Sequence, residues 1–248
     1  MSSVPEQHRL VTSGRRQPVV AVSLLGSFEL RVDASPVSLP AGTQRLIARL
    51  ALRGRTGRSR LAGSLWPETI EHRALASLRT GIWRINQAAP GLVVAAHGQV
   101  YLRPDTDVDA QRLVMSARRL LDVGSDLPRE ELEVSVDDAE LLPDWDDEWL
   151  ATDRERLRQL RLHVFESMAQ RLADAGFHGL ALESALAAVR ADPLRESAYR
   201  AVIRIHLAEG NVAEARRAYA ECAAVLERDV GVAPSFSIDG LVPAHSAL

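Results

Sequence analysis

Arginine supplies every basic side chain of this chain, and the balance of charge differs between its two halves. The 248 residues contain 30 basic residues, all of them arginine. Through Asp105 there are 14 arginines and 6 acidic residues, a balance of +8; from Thr106 onward 16 oppose 27, a balance of −11, and the two sum to −3. This asymmetry indicates a polyanion contact at one end of the molecule. Chance segregation of solvated charge is the alternative.

One predicted helix groups several of these arginines. Between Ile70 and about Ala89, apolar residues recur at helical spacing, at Ala74, Leu78, Ile82 and Ile85. The other face, with its flank, carries Arg73, Ser77, Arg79, Thr80, Trp83 and Arg84. A helix presented outward fits the major groove of DNA, where arginine pairs with guanine and threonine contacts a thymine methyl or a phosphate. Trp83 either faces DNA or packs against the first helix, and the sequence leaves both open.

Further polar side chains suit phosphate contacts, which position a domain without reading sequence. They lie at predicted helix starts or at the end of a hairpin, and they are Arg45, Ser59, Arg60 and Arg103. The hairpin tip, with His97 and Gln99 around Gly98, is placed to enter an adjacent minor groove. For each single arginine, a solvated surface position is an equally weighted alternative.

The sequence lacks signatures of catalysis. Residues 54–59 resemble a phosphate-binding loop only loosely, because they lack the lysine and do not lie between a strand and a helix. The histidines show no pairing at metal-ligand spacing, and the acidic run over 144–148 lacks the glycine of a calcium loop. The single cysteine, Cys222, is interpreted as a buried apolar residue in a reducing compartment. We therefore expect no catalytic site, no metal and no cofactor.

The elements that position the basic residues can be predicted in order. Alternating apolar residues over Val19–Pro40 predict a three-stranded antiparallel meander. Two short strands follow the basic helix, over 92–96 and 99–102, with a tight turn at His97 and Gly98. Between the meander and the basic helix, Thr43 is the expected cap of a first helix. Sheet, helices and hairpin in this order are typical of a winged helix-turn-helix.

The helix boundaries rest on glycine, serine and proline. Residues 54–57 contain two glycines and are expected to end the first helix. Ser59 opens a short second helix, which closes at Trp66 and Pro67.

After Asp107 the pattern is helical almost to the end. Residues 122–148 are acidic and poorly periodic, which predicts a loop. Helices are expected around 111–121 and 157–168. A 34-residue self-similarity pairs Phe165 with Tyr199, Gly176 with Gly210, Ala181 with Ala215, and Ala185 with Tyr219. This spacing fits tetratricopeptide-type helix pairs, which cover their apolar faces by stacking on neighbours.

The composition and the distribution of apolar residues limit the class of protein and its domain organisation. A hydrophobic fraction of 46% supports packed cores. No apolar run approaches the ~20 residues that span a bilayer, and no signal-peptide core follows the first arginines, so a cytoplasmic protein is expected. We predict a disordered tail at 1–17, a winged-helix domain at 18–105, a helical domain at 106–236 and a C-terminal tail at 237–248.

Several of these stretches resemble the Streptomyces antibiotic regulatory protein family. In the first half they are LGSFEL at 25–30, LAGSLWP at 61–67 and RALASLRTGIWR at 73–84. In the second half they are LLPDWDDEWL at 141–150, RERLRQLR at 154–161, the helix over 218–227 and GVAPS at 231–235. The second set resembles the bacterial transcriptional activation domain of that family, and the similarity extends over about residues 19–236.

The resemblance implies a fold and a function. The fold is mainly α with a small β part: an N-terminal, OmpR-like winged helix-turn-helix followed by an all-α tetratricopeptide-like repeat domain. The function is that of a pathway-specific activator for a secondary-metabolite gene cluster, such as one for antibiotic biosynthesis. Such a protein binds direct repeats in double-stranded DNA near the promoter −35 element and recruits RNA polymerase holoenzyme through its sigma factor or alpha subunit. It is expected to act as a dimer or as side-by-side protomers.

Carried over by position, the resemblance makes Arg79, Thr80, Trp83 and Arg84 the base and backbone readers. The loop facing polymerase would consist of Trp66, Pro67, Glu68, Thr69 and Ile70. Gly81 departs from the usual pattern, since glycine inside a helix costs about 1 kcal/mol relative to alanine; it permits close approach to DNA or loosens the helix. The chain also stops after the activation domain, so regulation is expected through abundance, a small ligand or a partner.

Two other classes of protein compete with an activator. A non-DNA-binding scaffold or adaptor would use the repeats as its working part and would show little sequence preference on DNA. An enzyme would need convergent titratable groups in a cleft, which nothing in the spacing indicates.

Overall fold

The computed structural model describes residues 18–121 and 139–241. Within them the chain forms two units, one from 18–22 and 29–107 and the other from 23–28 and 108–241. The boundary lies two residues after the predicted one, and the sequence did not indicate that 23–28 joins the second unit. The predictions for 1–17, for most of the acidic loop and for the last seven residues lie outside the described residues.

The first unit begins with the expected meander. Strands β1 (Val20–Ser23), β2 (Glu29–Val32) and β3 (Ser35–Pro36) lie in a sheet of order β3-β2-β1-β7, where β7 is Asp107–Val108. The third strand contains only two residues and follows the second after a two-residue turn. Asp33 and Ala34 both have positive φ, so the chain reverses in two residues and pairs Val32 with Ser35 at once.

Three helices and a second sheet follow. They are α1 (Ala41–Arg53), β4 (Thr56–Gly57), α2 (Arg58–Leu65), α3 (Glu71–Ala88), β5 (Val93–Ala96) and β6 (Gln99–Leu102). The second sheet has the order β4-β6-β5, so the break predicted at 54–57 also contains a strand, β4, that pairs with the hairpin. Large apolar side chains from all three helices fill the core of this unit, among them Leu46, Ile47, Leu50, Leu61, Leu78 and Ile85.

The predicted starts of the first two helices were both displaced, and the cap assigned to Thr43 was wrong. Helix α1 starts at Ala41, with Pro40 at the N-cap and Thr43 buried inside the helix. The proline ring fixes φ near the observed −60°, so Pro40 already sets the entry to the helix. Helix α2 starts one residue before Ser59, with Gly57 at its N-cap.

The second unit is helical. It contains α4 (Asp109–Leu121), a 3₁₀ turn (Glu148–Leu150), α5 (Ala151–Asp174), α6 (His178–Ala191), α7 (Glu196–Ala208) and α8 (Val212–Val230). The residues paired at 34-residue spacing occupy equivalent places. Phe165 and Tyr199 are buried on α5 and α7, while Gly176 and Gly210 take the left-handed turns with φ of 81° and 78°. The sequence repeat therefore corresponds to two successive helix pairs.

The segment 23–28 packs within the second unit through backbone contacts. The Asp109 carboxylate, at the start of α4, accepts hydrogen bonds from the Leu24 and Leu25 amides at 2.8–3.0 Å. Leu25 also forms an antiparallel bridge with Leu141. The Phe28 and Trp145 rings stack, with centroids 6.0 Å apart. These contacts join residues 23–28 to the acidic stretch 141–150, which contains Trp145 and Trp149.

Arg154 organises that stretch from helix α5. Its guanidinium donates to the carbonyl oxygens of Leu141, Leu142 and Trp145. One charged side chain thus satisfies three backbone acceptors in a loop that has few regular hydrogen bonds of its own.

The end of the described chain packs against the helical core. Ile238 and Leu241 contact the cluster of buried residues from α4 to α8, as does Phe236, whose ring meets Tyr219 edge to face at 5.6 Å. A tail beginning at residue 237 was therefore the wrong prediction for 237–241. Apolar side chains at these positions bury more surface by packing than a solvated tail allows.

Candidate nucleic-acid interface

Helix α3 presents one buried and one exposed face. Ala74, Leu78 and Ile85 are buried against the rest of the first unit, and Ile82 is half-buried. The six side chains predicted to contact DNA from this helix are all exposed: Arg73, Ser77, Arg79, Thr80, Trp83 and Arg84. Trp83 is 61% exposed, so it does not pack against α1. The structure removes that alternative.

The charges of this face are available for an external anion. Among the described residues, neither Arg79 nor Arg84 forms an ion pair with an acidic side chain. The acidic residue of α3, Glu71, lies in the first turn, where its carboxylate interacts favourably with the positive end of the helix dipole. The exposed face beyond that turn is therefore positive.

Gly81 lies on the buried side of α3, not on the exposed face. A Cβ added at this position would stand 3.1 Å from Leu46 Cδ2 of α1. Glycine here permits the close crossing of α1 and α3, so the proposed close approach to DNA at Gly81 was wrong. The physical reason is steric, because a contact of 3.1 Å between carbons is tighter than van der Waals packing allows.

A side chain that sequence reasoning missed connects the β5–β6 hairpin, the predicted wing, to helix α3. The Asn86 side chain donates to the Val93 carbonyl at 2.9 Å and accepts from the Val93 amide at 3.0 Å. These two bonds hold the first residue of β5 beside the last turns of α3. A polar residue on the inner side of a helix was the available signal, since asparagine is a weak helix former.

The wing tip has the geometry of a two-residue hairpin turn. His97 and Gly98 have φ of 51° and 74°, as a type I′ turn requires. His97, Gly98 and Gln99 are all exposed. Both predicted minor-groove side chains thus stand at the tip of a hairpin positioned by Asn86.

Three of the four predicted phosphate-binding residues are exposed. Arg45, Ser59 and Arg60 are exposed on α1 and in the first turn of α2. Arg60 lines a pocket of about 290 Å³ between α1 and α2, together with Arg49, Arg53, Arg55, Thr56, Leu61 and Ser64. Since no acidic side chain of the described residues lines this pocket, it adds to the positive surface of the first unit.

Arg103 is the exception, and its assignment to phosphate was wrong. Its side chain is buried, and the guanidinium donates to the Pro18 carbonyl at 2.6 Å and to the Asp105 carboxylate at 2.5 Å. These partners neutralise and enclose the charge, so Arg103 stabilises the ends of the first unit.

The loop expected to face polymerase connects α2 to α3. Pro67, Glu68 and Ile70 are exposed, with Ile70 at 57%, while Trp66 and Thr69 are half-buried. The Thr69 amide donates to the Trp66 carbonyl and closes a turn. An apolar and an acidic side chain are thus exposed on the turn that leads into α3.

The described residues offer no site for metal or thiolate chemistry. No three His, Cys, Asp or Glu side chains among them cluster closely enough to hold a metal ion. Burial raises the pKa of the Cys222 thiol to about 11, which disfavours the reactive thiolate. None of the helices in the described ranges is long and apolar enough to cross a membrane.

Known proteins are similar to this chain in both sequence and structure. The bacterial transcriptional activator domain model matches residues 107–242, more than half of the chain. The regulatory protein AfsR of Streptomyces coelicolor is 29% identical to this chain over an alignment of 247 residues. The alignment covers 93% of this chain and 25% of AfsR. This chain therefore spans a quarter of that relative.

A solved structure shares the fold. Mycobacterium tuberculosis EmbR, in complex with a low-affinity phosphopeptide, superposes with a TM-score of 0.74 at 19% identity, over 91% of this chain and 64% of the EmbR chain. The expected fold class, a small β-containing winged-helix part followed by a helical domain, is confirmed by this match. The chain belongs to the bacterial transcriptional activator domain family, as one of the Streptomyces antibiotic regulatory proteins that its sequence resembles.

Proposed function

We propose that this protein is a sequence-specific DNA-binding transcription activator. The observation that carries the proposal is the exposed face of α3, where Arg73, Arg79, Arg84 and Trp83 are all exposed to solvent. A rigid helix with this face, followed by a wing, is the arrangement that reads a major groove. Family membership supports the same role.

The finer parts of the proposal concern the promoter. We propose that protomers bind direct repeats near the −35 element side by side, and that the turn from Trp66 to Ile70 contacts RNA polymerase holoenzyme. The exposed Ile70 and Glu68 provide an apolar and a charged contact for that purpose. Control of a secondary-metabolite gene cluster is the biological role that such relatives suggest.

Selection from random duplex DNA tests the proposal directly. The purified chain is equilibrated at near-physiological salt, and bound DNA is sequenced over several rounds. We expect a short motif, repeated at a spacing of about one helical turn. The Arg79→Ala/Arg84→Ala double variant is expected to lose most of this binding, because it removes two positive charges from the α3 face.

A matched control uses an arginine of the second unit. Arg216 is exposed on α8, and Arg216→Ala is expected to bind the selected DNA like the wild type. Wild-type affinity in the double variant would contradict the placement of α3 on DNA, even if a motif is recovered.

The helical unit favours a second function, that of a scaffold or adaptor. A pocket of about 210 Å³ lies between α5 and α7, with Gln170, Asp174, His178 and Arg204 in its lining. Absence of any enriched motif would support this reading, and the repeat unit would then be the part to test against protein partners.

A further inference from the structure

Trp83 lies at the centre of the exposed face of α3. At about 100° per residue it stands about 180° around the helix from the buried Ala74. All four tryptophans lie in the described residues, and the other three are half-buried, whereas Trp83 is 61% exposed. Its ring therefore leaves a large apolar area uncovered in the middle of a positive surface.

Two smaller side chains extend this apolar area along the helix. Ala76 lies seven residues before Trp83, nearly in line with it, and Thr80 lies in the turn between them. The Thr80 hydroxyl donates to the Ala76 carbonyl at 3.1 Å, so its proton is already used within the helix. The Thr80 methyl group is what remains for an apolar contact. We name Ala76, Thr80 and Trp83 the apolar strip.

The arginines of α3 flank the apolar strip on opposite sides. Arg79 and Arg84 are five residues apart, which places them about 140° from each other around the axis. Arg73 lies eleven residues before Arg84 and therefore on the same flank. A helix in a groove meets base edges along its centre and the two phosphate backbones along its flanks, so these arginines are placed for phosphates.

We infer that the apolar strip recognises thymine through its 5-methyl group, while the flanking arginines bind the phosphates of the two strands. Thymine alone presents an apolar group in the major groove, and alanine and threonine methyls are known partners for it. Guanine, cytosine and adenine present polar edges there. This inference rests on the proposed DNA-binding function and specifies the base that it reads.

The test uses the DNA motif selected by the full-length chain. Each thymine of the motif is replaced singly by deoxyuridine, which removes the methyl group and keeps every hydrogen-bonding atom. Binding is measured by fluorescence anisotropy at fixed salt. For the wild type we expect roughly fourfold weaker binding at the thymines under the strip, the effect of uncovering one buried carbon.

Two substitutions at Trp83 separate the methyl contact from a hydrogen bond by the indole N–H. Trp83→Ala is expected to bind less tightly overall and to lose the distinction between thymine and deoxyuridine. Trp83→Phe lacks the N–H donor and is expected to retain the distinction. Because Trp83 is exposed, neither change should lower the melting temperature, which checks that both variants fold.

Arg79→Ala provides the matched comparison on the same helix. It is expected to weaken binding to thymine and deoxyuridine DNA by the same factor, and to reduce the salt dependence. A Trp83→Ala variant that keeps the full distinction between thymine and deoxyuridine would show that the ring does not contact the methyl group, and it would overturn the inference.

The outcomes distinguish this inference from the proposed function. A motif without thymine, or one that the wild type binds equally well with deoxyuridine, overturns the inference and leaves sequence-specific DNA binding intact. If no motif is enriched, the proposed function itself fails.

Discussion

Glu166, on helix α5, joins the two helix pairs of the second unit. Its carboxylate accepts hydrogen bonds from Arg195 at 2.7 and 2.8 Å and from the Ser197 hydroxyl. Burial alone would raise the pKa of Glu166, but the Arg195 and Ser197 bonds outweigh it and hold the pKa below its ordinary value. Both side chains of the ion pair are about four-fifths buried, so water screens it little.

Glu166→Gln is expected to lower the stability of the protein by roughly 1.5–3 kcal/mol at neutral pH. The carboxylate form is favoured by folding, so its contribution is present above the usual Glu pKa of about 4.3 and is lost as the pH falls through the lowered value. The difference between wild type and variant should therefore shrink below about pH 4. Thermal melts from pH 3 to 7 measure this.

Glu155→Gln is the control for that experiment. Glu155 pairs with Arg158 at 2.9 Å on the surface, and the hydrogen bonds from Arg158 and Gln159 lower the pKa of Glu155 to about 2. Because solvent screens exposed pairs, its replacement should change the melting temperature less than Glu166→Gln does. A pH-independent difference for Glu166→Gln would contradict the assigned role of its charge.

At the level of elements, the crossing of α1 and α3 depends on Gly81. Leu46 is fully buried, and its Cδ2 atom lies 3.1 Å from the position that a Cβ at residue 81 would take. Sequence reasoning placed this glycine correctly inside the helix but gave it the wrong neighbour. The periodicity of α3 assigns a position to a face, whereas the partner of that face depends on how two helices cross.

Gly81→Leu is expected to destabilise the protein by about 1–3 kcal/mol, because the added atoms enter a filled core. Gly81→Ala should cost less, since its gain of about 1 kcal/mol in helix propensity offsets a small shift of Leu46. Chemical denaturation of the three proteins gives the order. Equal stability of Gly81→Leu and wild type would show that α3 can move away from α1 without loss.

The N-terminal part of the chain, through Asp105, has an excess of positive charge, although the whole molecule carries a net charge of −3. The balance is +8 through Asp105 and −11 after it, from 14 − 6 and 16 − 27. Phosphate contacts release counterions, so binding of this protein to DNA should weaken linearly with the logarithm of salt concentration. The arginines of the second unit should contribute little to that slope.

Arg60→Ala is expected to weaken binding to all DNA sequences alike and to lower the salt slope by about one. Arg60 is exposed at the start of α2 and lines the arginine-rich pocket, which suits a phosphate contact. Anisotropy titrations between 50 and 200 mM salt measure the slope, with Arg216→Ala as the unchanged control. An unaltered slope in Arg60→Ala would remove this residue from the interface.

Much of the secondary structure could be predicted from local patterns in the sequence. The 3.6-residue spacing of Ala74, Leu78 and Ile85 predicted α3 and its exposed face, and the structure shows that face as expected. The glycines at 176 and 210 predicted the turns of two helix pairs, because only a residue without a side chain adopts positive φ at little cost. The order of elements was enough to predict a winged helix, since it depends on neighbours in the chain.

What the sequence by itself determined was therefore the type and order of its elements, its charge asymmetry and its family resemblance. Only the tertiary structure decided that Arg103 is enclosed by the Pro18 carbonyl, 85 residues away in sequence, and that Trp83 is left in solvent. It also decided that Leu25 pairs with Leu141. Local preference depends on a few adjacent residues, whereas these contacts depend on segments that meet only after folding.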